Sequence, residues 1–200
     1  MRIPSSINSL LKQLFPLPVG IKLKGTREEF YRARSLTVLL LTISATVWFW
    51  TAVLCLVYFF THLNILLNIY FGLIISALLG LQVWSFFRFA NIRLTSMLFT
   101  LTYFLMALSL VLMSGGYRSA SLAILLTSPV VSFKAGGKDE GIMNAIFVGL
   151  AGIALMATDK MGIPMVNQFA GIDEGFLFVS AWVVTLAVIS TCLVTYDMDE

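Results

Sequence analysis

Charged residues are scarce in this sequence. Only 12% of the 200 residues are Asp, Glu, Lys or Arg, whereas 59% are hydrophobic. A soluble domain is about one quarter charged, so this chain lacks the polar surface that keeps a globular protein in water. Its apolar residues collect in stretches of about 20, roughly the length of helix that crosses a 30 Å hydrocarbon layer. The sequence therefore predicts an all-α membrane protein that is embedded in the lipid bilayer.

The residue types that bind metals and cofactors are also few. The single histidine, His62, lies at the end of an apolar stretch and cannot supply the paired axial ligands of a membrane haem. Cys55 and Cys192 lack the close spacing of a metal or redox motif, and both fall inside apolar stretches, which predicts core packing. We expect no metal and no cofactor.

No acidic or basic residue interrupts the predicted spans, which removes the usual components of proton relays and intramembrane aspartyl proteases. The glycines Gly136 and Gly137 before Lys138 lack the remainder of a phosphate-binding loop. No kinase or nucleotide-cyclising motif is present. The chain is predicted not to be an enzyme, and any catalytic domain would lie beyond Glu200.

Six apolar stretches predict a six-transmembrane-helix bundle, with spans at 35–60, 64–87, 94–113, 120–133, 142–156 and 176–194. An even number of spans places both termini on one side. With the N-terminus in the cytoplasm, 11 of the 13 lysines and arginines lie inside, and only Arg118 and Lys160 lie outside. This asymmetry follows the positive-inside rule, so the +3 net charge marks topology rather than nucleic-acid binding. We expect a bacterial inner membrane protein with cytoplasmic termini.

The N-terminal segment 1–34 is predicted to lie in the cytoplasm. It begins with an apolar stripe at helical spacing that Pro16 and Pro18 end, formed by Ile7, Leu10, Leu11, Leu14 and Phe15. This pattern predicts a short helix in the membrane interface, with a disordered tail as the alternative. The membrane domain would then occupy 35–195, and 196–200 would begin a cytoplasmic helix without a stop signal.

Small residues and one proline predict how the spans pack. Gly72, Ser76 and Gly80 form a ladder at four-residue spacing on span two, and Gly141, Ala145 and Gly149 form another on span five. Such ladders allow helices to approach closely, within one bundle or between two copies. Span four is too short for a full crossing and contains Pro129, which leaves the Leu125 carbonyl without its helical donor. We expect span four to be enclosed by other helices, and we expect span five to be short as well.

A few polar and aromatic side chains lie at membrane depth. The candidate ligand-binding residues are Trp48, Trp50, Asn68, Tyr103, Thr127 and Ser128. Buried indole, phenol, amide and hydroxyl groups need hydrogen-bond partners, so they either bond to one another across helices or line a pocket in the outer half of the bundle. The sequence leaves both interpretations open.

One local motif resembles a known family. The turn between spans three and four contains Ser114, Gly115, Gly116, Arg118 and Ser119, and an apolar run with Pro129 follows. This resembles the six-span N-terminal sensor module of bacterial sensor histidine kinases, including those of two-component systems, diguanylate cyclases and class III adenylate cyclases. Ala120 stands where a proline is common in that family. The resemblance implies a homodimeric receptor that detects a small or lipophilic ligand and transmits the signal through span six.

The resemblance also implies that a cytoplasmic effector, a kinase or cyclase, follows the last residues of this chain. We therefore expect the sequence to be the membrane part of a longer protein. Two other functions remain open from the sequence: a small transporter or channel for an uncharged solute, and a passive membrane anchor or assembly subunit.

Overall fold

The computed structural model describes residues 27–61, 66–163 and 174–197, with side chains over 31–60, 66–163, 178 and 181–192. Within these ranges the chain is helical, with six α-helices and one short 3₁₀ turn. The helices are α1 Arg27–Thr61, α2 Leu66–Phe89, α3 Ile92–Met113, α4 Leu122–Gly136, α5 Lys138–Lys160 and α6 Glu174–Asp197. The predicted interfacial helix at the N-terminus and His62 lie outside the described residues.

Four of these helices are long and apolar enough to cross a membrane. They are α2, α3, α5 and the Tyr31–Phe60 part of α1, each with a mean hydropathy of 1.9 or 2.0. Large apolar side chains cover the outer surfaces of these helices, as expected where lipid rather than water is the solvent. The all-α architecture with membrane-crossing helices agrees with the sequence-based prediction.

The helix boundaries differ from the predicted spans at charged ends. The helix α1 begins at Arg27, inside the basic cluster that precedes the first apolar stretch. The prediction that the fifth helix is short was wrong, because α5 has 23 residues. It extends past its apolar part at both ends, with Asp139 and Glu140 in its first turn, where the helix dipole favours carboxylates, and Lys160 in its last turn.

The short helix α4 lies at the centre of the bundle. It has 15 residues, about 22 Å at 1.5 Å per residue, and it packs against α1, α3, α5 and α6. Only one stripe, which contains Leu126, Val130 and Phe133, is exposed. The expectation that α4 is enclosed by other helices therefore agrees with its packing.

The two ends of the bundle differ in chemistry. The turn that joins α3 to α4, residues 114–121, lies at one end, which we call the turn end. The opposite end, which we call the basic end, holds the α2–α3 and α4–α5 junctions with Arg88, Arg93, Lys134 and Lys138. Near the basic end, residues 33–40 of α1 are all buried, including Arg34. The bundle is therefore packed most completely around α1 near its basic end.

The two small-residue ladders pack only in part. A Cβ atom at Gly72 would lie 2.5 Å from Thr51 Oγ1, and a Cβ at Gly141 would lie 2.8 Å from Phe133 Cβ. Gly80 and Gly149, in contrast, have open space around them. Each four-residue step along an α-helix rotates the side-chain direction by roughly 40°. After one or two steps, a residue of the ladder therefore no longer faces the neighbouring helix.

The buried stripe of α5 is Gly141, Asn144, Val148 and Leu155, rather than the predicted ladder. Ala145 is exposed, like Gly149 beyond it. Within the bundle, only Gly141 of this ladder packs closely, and packing between two copies stays a prediction.

The two cysteines also have different environments. Cys192 is buried on α6, as predicted, but Cys55 is exposed, and both are free thiols. The prediction of core packing was wrong for Cys55, because the half of α1 near the turn end turns one face outward, where Phe49 and Phe59 are also exposed.

We predict that Gly141→Ala destabilises the bundle and that Gly149→Ala does not. The added methyl group at 141 meets Phe133, including its Cα atom at 3.0 Å, and such overpacking costs about 1–3 kcal/mol. The same change at 149 meets no atom within 4 Å, and it carries the same gain in helix propensity. Thermal unfolding of the two purified variants in one detergent measures the difference. Equal melting temperatures would contradict the close approach of α4 and α5.

Candidate functional site

A cavity of about 740 Å³ opens at the turn end of the bundle. Five helices and the α3–α4 turn surround it. Most of its walls are apolar, from α1, α2, α3, α4 and α6, and they include Val47, Leu54, Val57, Phe71, Ile75, Met106, Leu110, Ile124 and Val184. Its size falls within the range of about 300–1,000 Å³ typical of small-molecule sites.

The turn that forms one end of the cavity depends on two glycines. Gly115 has φ 103° and Gly116 has φ 74°, both in the left-handed region that residues with a Cβ adopt only with strain. Both glycines were part of the predicted motif turn. Their geometry reverses the chain between α3 and α4, so that Ser114, Arg118 and Ser119 all line the cavity.

The serines of this turn form a hydroxyl cluster. The Ser114 hydroxyl donates to the carbonyl oxygen of Leu110, and it lies within hydrogen-bond distance of the Ser119 hydroxyl and, at 3.0 Å, of the Ser121 hydroxyl. The backbone N–H of Ser121 donates to Ser119 Oγ at 3.0 Å. These bonds fix the turn and place polar atoms at one end of an otherwise apolar space.

Arg118 is the one charged residue among the described residues that line this cavity. Its guanidinium pairs with the carboxylate of Asp159, at the end of α5, through two contacts of 3.3 Å. The side chains are 81% and 38% exposed, so this is a surface ion pair. Such pairs contribute only about 0–1 kcal/mol.

The predicted ligand-binding residues separate into two groups. Trp50 and Asn68 line the cavity. Trp48, two residues from Trp50, is 55% exposed on the outer surface of α1 and does not line the cavity. Tyr103, Thr127 and Ser128 are buried in the packed interior, and none of them lines the cavity.

Tyr103 and Thr127 bond to each other across α3 and α4. The two hydroxyl oxygens are 2.7 Å apart, and Thr127 donates to the carbonyl of Ile124, also at 2.7 Å. Because Thr127 has a single hydroxyl hydrogen, Tyr103 is the donor in the pair. The hydroxyl of Thr127 therefore serves the Ile124 carbonyl rather than the Leu125 carbonyl that Pro129 leaves open.

Beside Pro129, a second network joins α4 to α5. Asn144 Nδ2 donates to Ser128 Oγ at 3.0 Å and to Ser132 Oγ, and Ser132 donates to the Ser128 carbonyl at 2.8 Å. All three side chains are buried. Asn144 and Ser132 were not among the predicted site residues, although Asn144, like Asn68, is an asparagine within an apolar span.

A second cavity, of about 830 Å³, lies at the basic end. Arg32, Arg93, Asp139 and Glu140 contribute charged groups to its lining. The Glu140 carboxylate accepts hydrogen bonds from Ser96 at 3.0 Å and Thr100 at 3.5 Å, both on α3. In the part of the chain that the structure describes, no group of three or more His, Cys, Asp or Glu residues is arranged to hold a metal ion.

No protein-family model, curated protein or solved structure matches this chain. The geometry of the cavity and the distribution of charge along the sequence therefore carry the functional argument.

We predict that Asn144→Leu destabilises the bundle by about 1 kcal/mol, because interhelical hydrogen bonds in membranes average about 0.6 kcal/mol and reach about 1.7. The coupling should be visible in a double-mutant cycle with Ser132→Ala, measured by unfolding in detergent. Ser109→Ala is the control, since among the described residues the Ser109 hydroxyl bonds only to the Leu105 carbonyl of its own helix. Additive effects of the two changes would contradict a stabilising bond between Asn144 and Ser132.

Proposed function

We propose that this chain is a six-span receptor and signal transducer of a bacterial inner membrane. In this proposal the cavity at the turn end receives a ligand, and α6 carries the response to a cytoplasmic effector. The chain would act by binding and conformational change, with catalysis left to that effector.

The proposed six spans include α4 and α6 besides the four helices of full length and hydropathy. The helix α6 has 24 residues, about 36 Å, which is sufficient to cross the bilayer. The assignment of the short α4 as a span is supported by its enclosure among α1, α3, α5 and α6. The positive-inside rule then favours a basic end in the cytoplasm and a turn end outside.

The observation that carries the proposal is that α6 forms part of the cavity wall. Ala181 and Val184 line the cavity, and the buried stripe of α6 continues through Thr185, Val188 and Cys192 towards the basic end. This stripe lies on the side of the helix that packs against α4 and α1. A ligand in the cavity would therefore touch the same helix that leaves the membrane on the other side, and binding would shift the populations of its positions.

The resemblance of the turn to six-span sensor modules supports the same function. Gly115 and Gly116 adopt backbone angles that only glycine adopts without strain, and that gives the motif a physical basis in this chain. We propose a homodimer formed through the outward face of α6, where Trp182, Leu186 and Ile189 are exposed at i, i+4 and i+7 spacing.

The orientation is testable with single cysteines in a background of Cys55→Ala and Cys192→Ala. We expect Lys160→Cys to react with a membrane-impermeant maleimide in intact cells, because α5 would end outside. Lys138→Cys, at the other end of the same helix, should react only after the membrane is permeabilised. The reverse pattern would overturn the orientation.

The coupling between cavity and α6 is testable with Val184→Phe. Val184 lines the cavity, so a phenylalanine at this position would fill part of it from α6. Val183→Phe is the control, because it adds the same group at a position that is 59% exposed and faces outward. With spin labels at positions 88 and 190, both near the basic end, we expect the first variant to shift the measured distance by about 1–2 Å, the usual size of signalling helix shifts. The second variant should leave it unchanged.

A sample labelled at position 190 alone reports the distance between protomers, and the absence of such a distance would contradict the homodimer. If the Val184→Phe protein folds and inserts into the membrane but the distance between the spin labels at 88 and 190 is unchanged, α6 is not coupled to the cavity. That result would contradict the receptor proposal and leave the transporter and the passive anchor as the alternatives.

A further inference from the structure

We infer that the cavity at the turn end takes a single-chain amphiphile that carries an anionic headgroup, with the headgroup at Arg118. This inference deepens the proposed receptor function and depends on it. It specifies a ligand class with two parts, an apolar body and one negative charge, and the cavity volume of about 740 Å³, within the range of small-molecule sites, fits one alkyl chain better than the two of a phospholipid.

The apolar body follows from the walls of the cavity. Away from the turn, the lining is aliphatic and aromatic, with Leu54, Val57, Phe71 and Met106 among the side chains that a ligand would contact. Burying an alkyl chain against such walls is favourable by about 0.8 kcal/mol per CH₂ group when the chain comes from water. An ion or a small polar solute gains nothing from these surfaces, so they favour a ligand with a substantial apolar part.

The negative charge follows from Arg118. It is the only charged side chain among the described residues of the lining, and it lies at the same end as the serine cluster. Its two contacts with Asp159, through Nε and one terminal nitrogen, use two of the five N–H donors of a guanidinium. The planar guanidinium can therefore hold a second carboxylate or phosphate in a two-point contact.

Two further features at this end favour an anion. The helix α4 begins at Leu122, directly after the lining residue Ser121, so the positive end of its dipole lies at the polar end of the cavity. The hydroxyl groups of Ser119 and Ser121 can turn to donate hydrogen bonds to a headgroup. Asp159 opposes these features, because its charge neutralises part of the Arg118 charge.

The experiment uses the full chain in nanodiscs of zwitterionic phosphatidylcholine, with two photoreactive probes of the same length: a diazirine-bearing hexadecanoic acid and the corresponding alcohol. We expect saturable labelling of the peptides that contain Trp50 and Met106 by the acid, with competition by unlabelled palmitate and not by acetate. The alcohol should label these peptides at least about tenfold more weakly, since it lacks the charged hydrogen bonds to Arg118.

Four variants assign the charge effect to Arg118. Arg118→Gln should weaken the binding of the acid by about tenfold and leave the alcohol unchanged. Lys160→Gln is the matched control, because it removes one positive charge at the end of α5 from a residue that does not line the cavity. Asp159→Asn should strengthen binding of the acid by about threefold, since it removes the competing carboxylate. Arg118→Lys keeps the charge and should retain part of the affinity for the acid. That result would show that the weaker binding of Arg118→Gln does not come from misfolding.

The inference is overturned if acid and alcohol label the cavity equally, if Lys160→Gln matches Arg118→Gln, or if neither probe labels saturably. Replacing part of the phosphatidylcholine with phosphatidylglycerol distinguishes the source of the anion. Competition by this two-chain lipid would overturn the single-chain ligand, and its failure to compete supports it. These outcomes leave the receptor proposal to be judged by the shift of α6 in Val184→Phe, which requires no ligand.

Discussion

The organisation of this bundle follows from one constraint: in a hydrocarbon environment, polar backbone and side-chain groups must find partners within the protein. Pro129 breaks the hydrogen-bond pattern of α4, and the helix is too short to reach across the bilayer alone. A helix with such defects is costly against lipid. Its position among four other helices shields most of it from lipid, and its Thr127 and Ser128 side chains bond to Tyr103 on the α3 side and to Asn144 on the α5 side.

The same constraint separates the two halves of the bundle. Near the basic end, α1 is buried on all sides over residues 33–40, and polar side chains such as Thr37 bond to their own helix. At the turn end the helices enclose the cavity, and polar groups gather at the α3–α4 turn. A closely packed half and an open half within one set of helices are consistent with the proposed receptor, in which a ligand in the open half would shift helices that are packed together elsewhere.

Much of the architecture was predictable, because apolar stretches and charged boundaries report directly on a helix in lipid. The prediction failed where it needed the direction of side chains. Trp48 and Trp50 are both tryptophans in the same span, but a two-residue step on a helix turns the side chain by about 200°, and only Trp50 reaches the cavity. Cys55 was misplaced for the same reason. Which face of α1 meets other helices depends on packing, which a single sequence does not report.

The polar contacts between helices were less predictable than the helices themselves. Asn68 was recognised as a polar group in an apolar span, yet Asn144 and Glu140 were not, although each bonds to a neighbouring helix. Glu140 lies in the first turn of α5, and from the sequence alone it resembles an ordinary charged residue of the loop before the span. Its role depends on the approach of α3, a contact between residues more than 40 positions apart that only the folded bundle brings together.

Gly136, at the end of α4, has a consequence for the spacing of α3, α4 and α5. The Glu140 carboxylate occupies the place where a side chain at 136 would begin, and from there it reaches the Ser96 hydroxyl on α3. The absence of a side chain at this position thus lets the Glu140 carboxylate of α5 lie against α4 and bond to α3 at the basic end. A larger residue at position 136 would therefore displace the carboxylate that joins α5 to α3, so the spacing of three helices depends on one glycine.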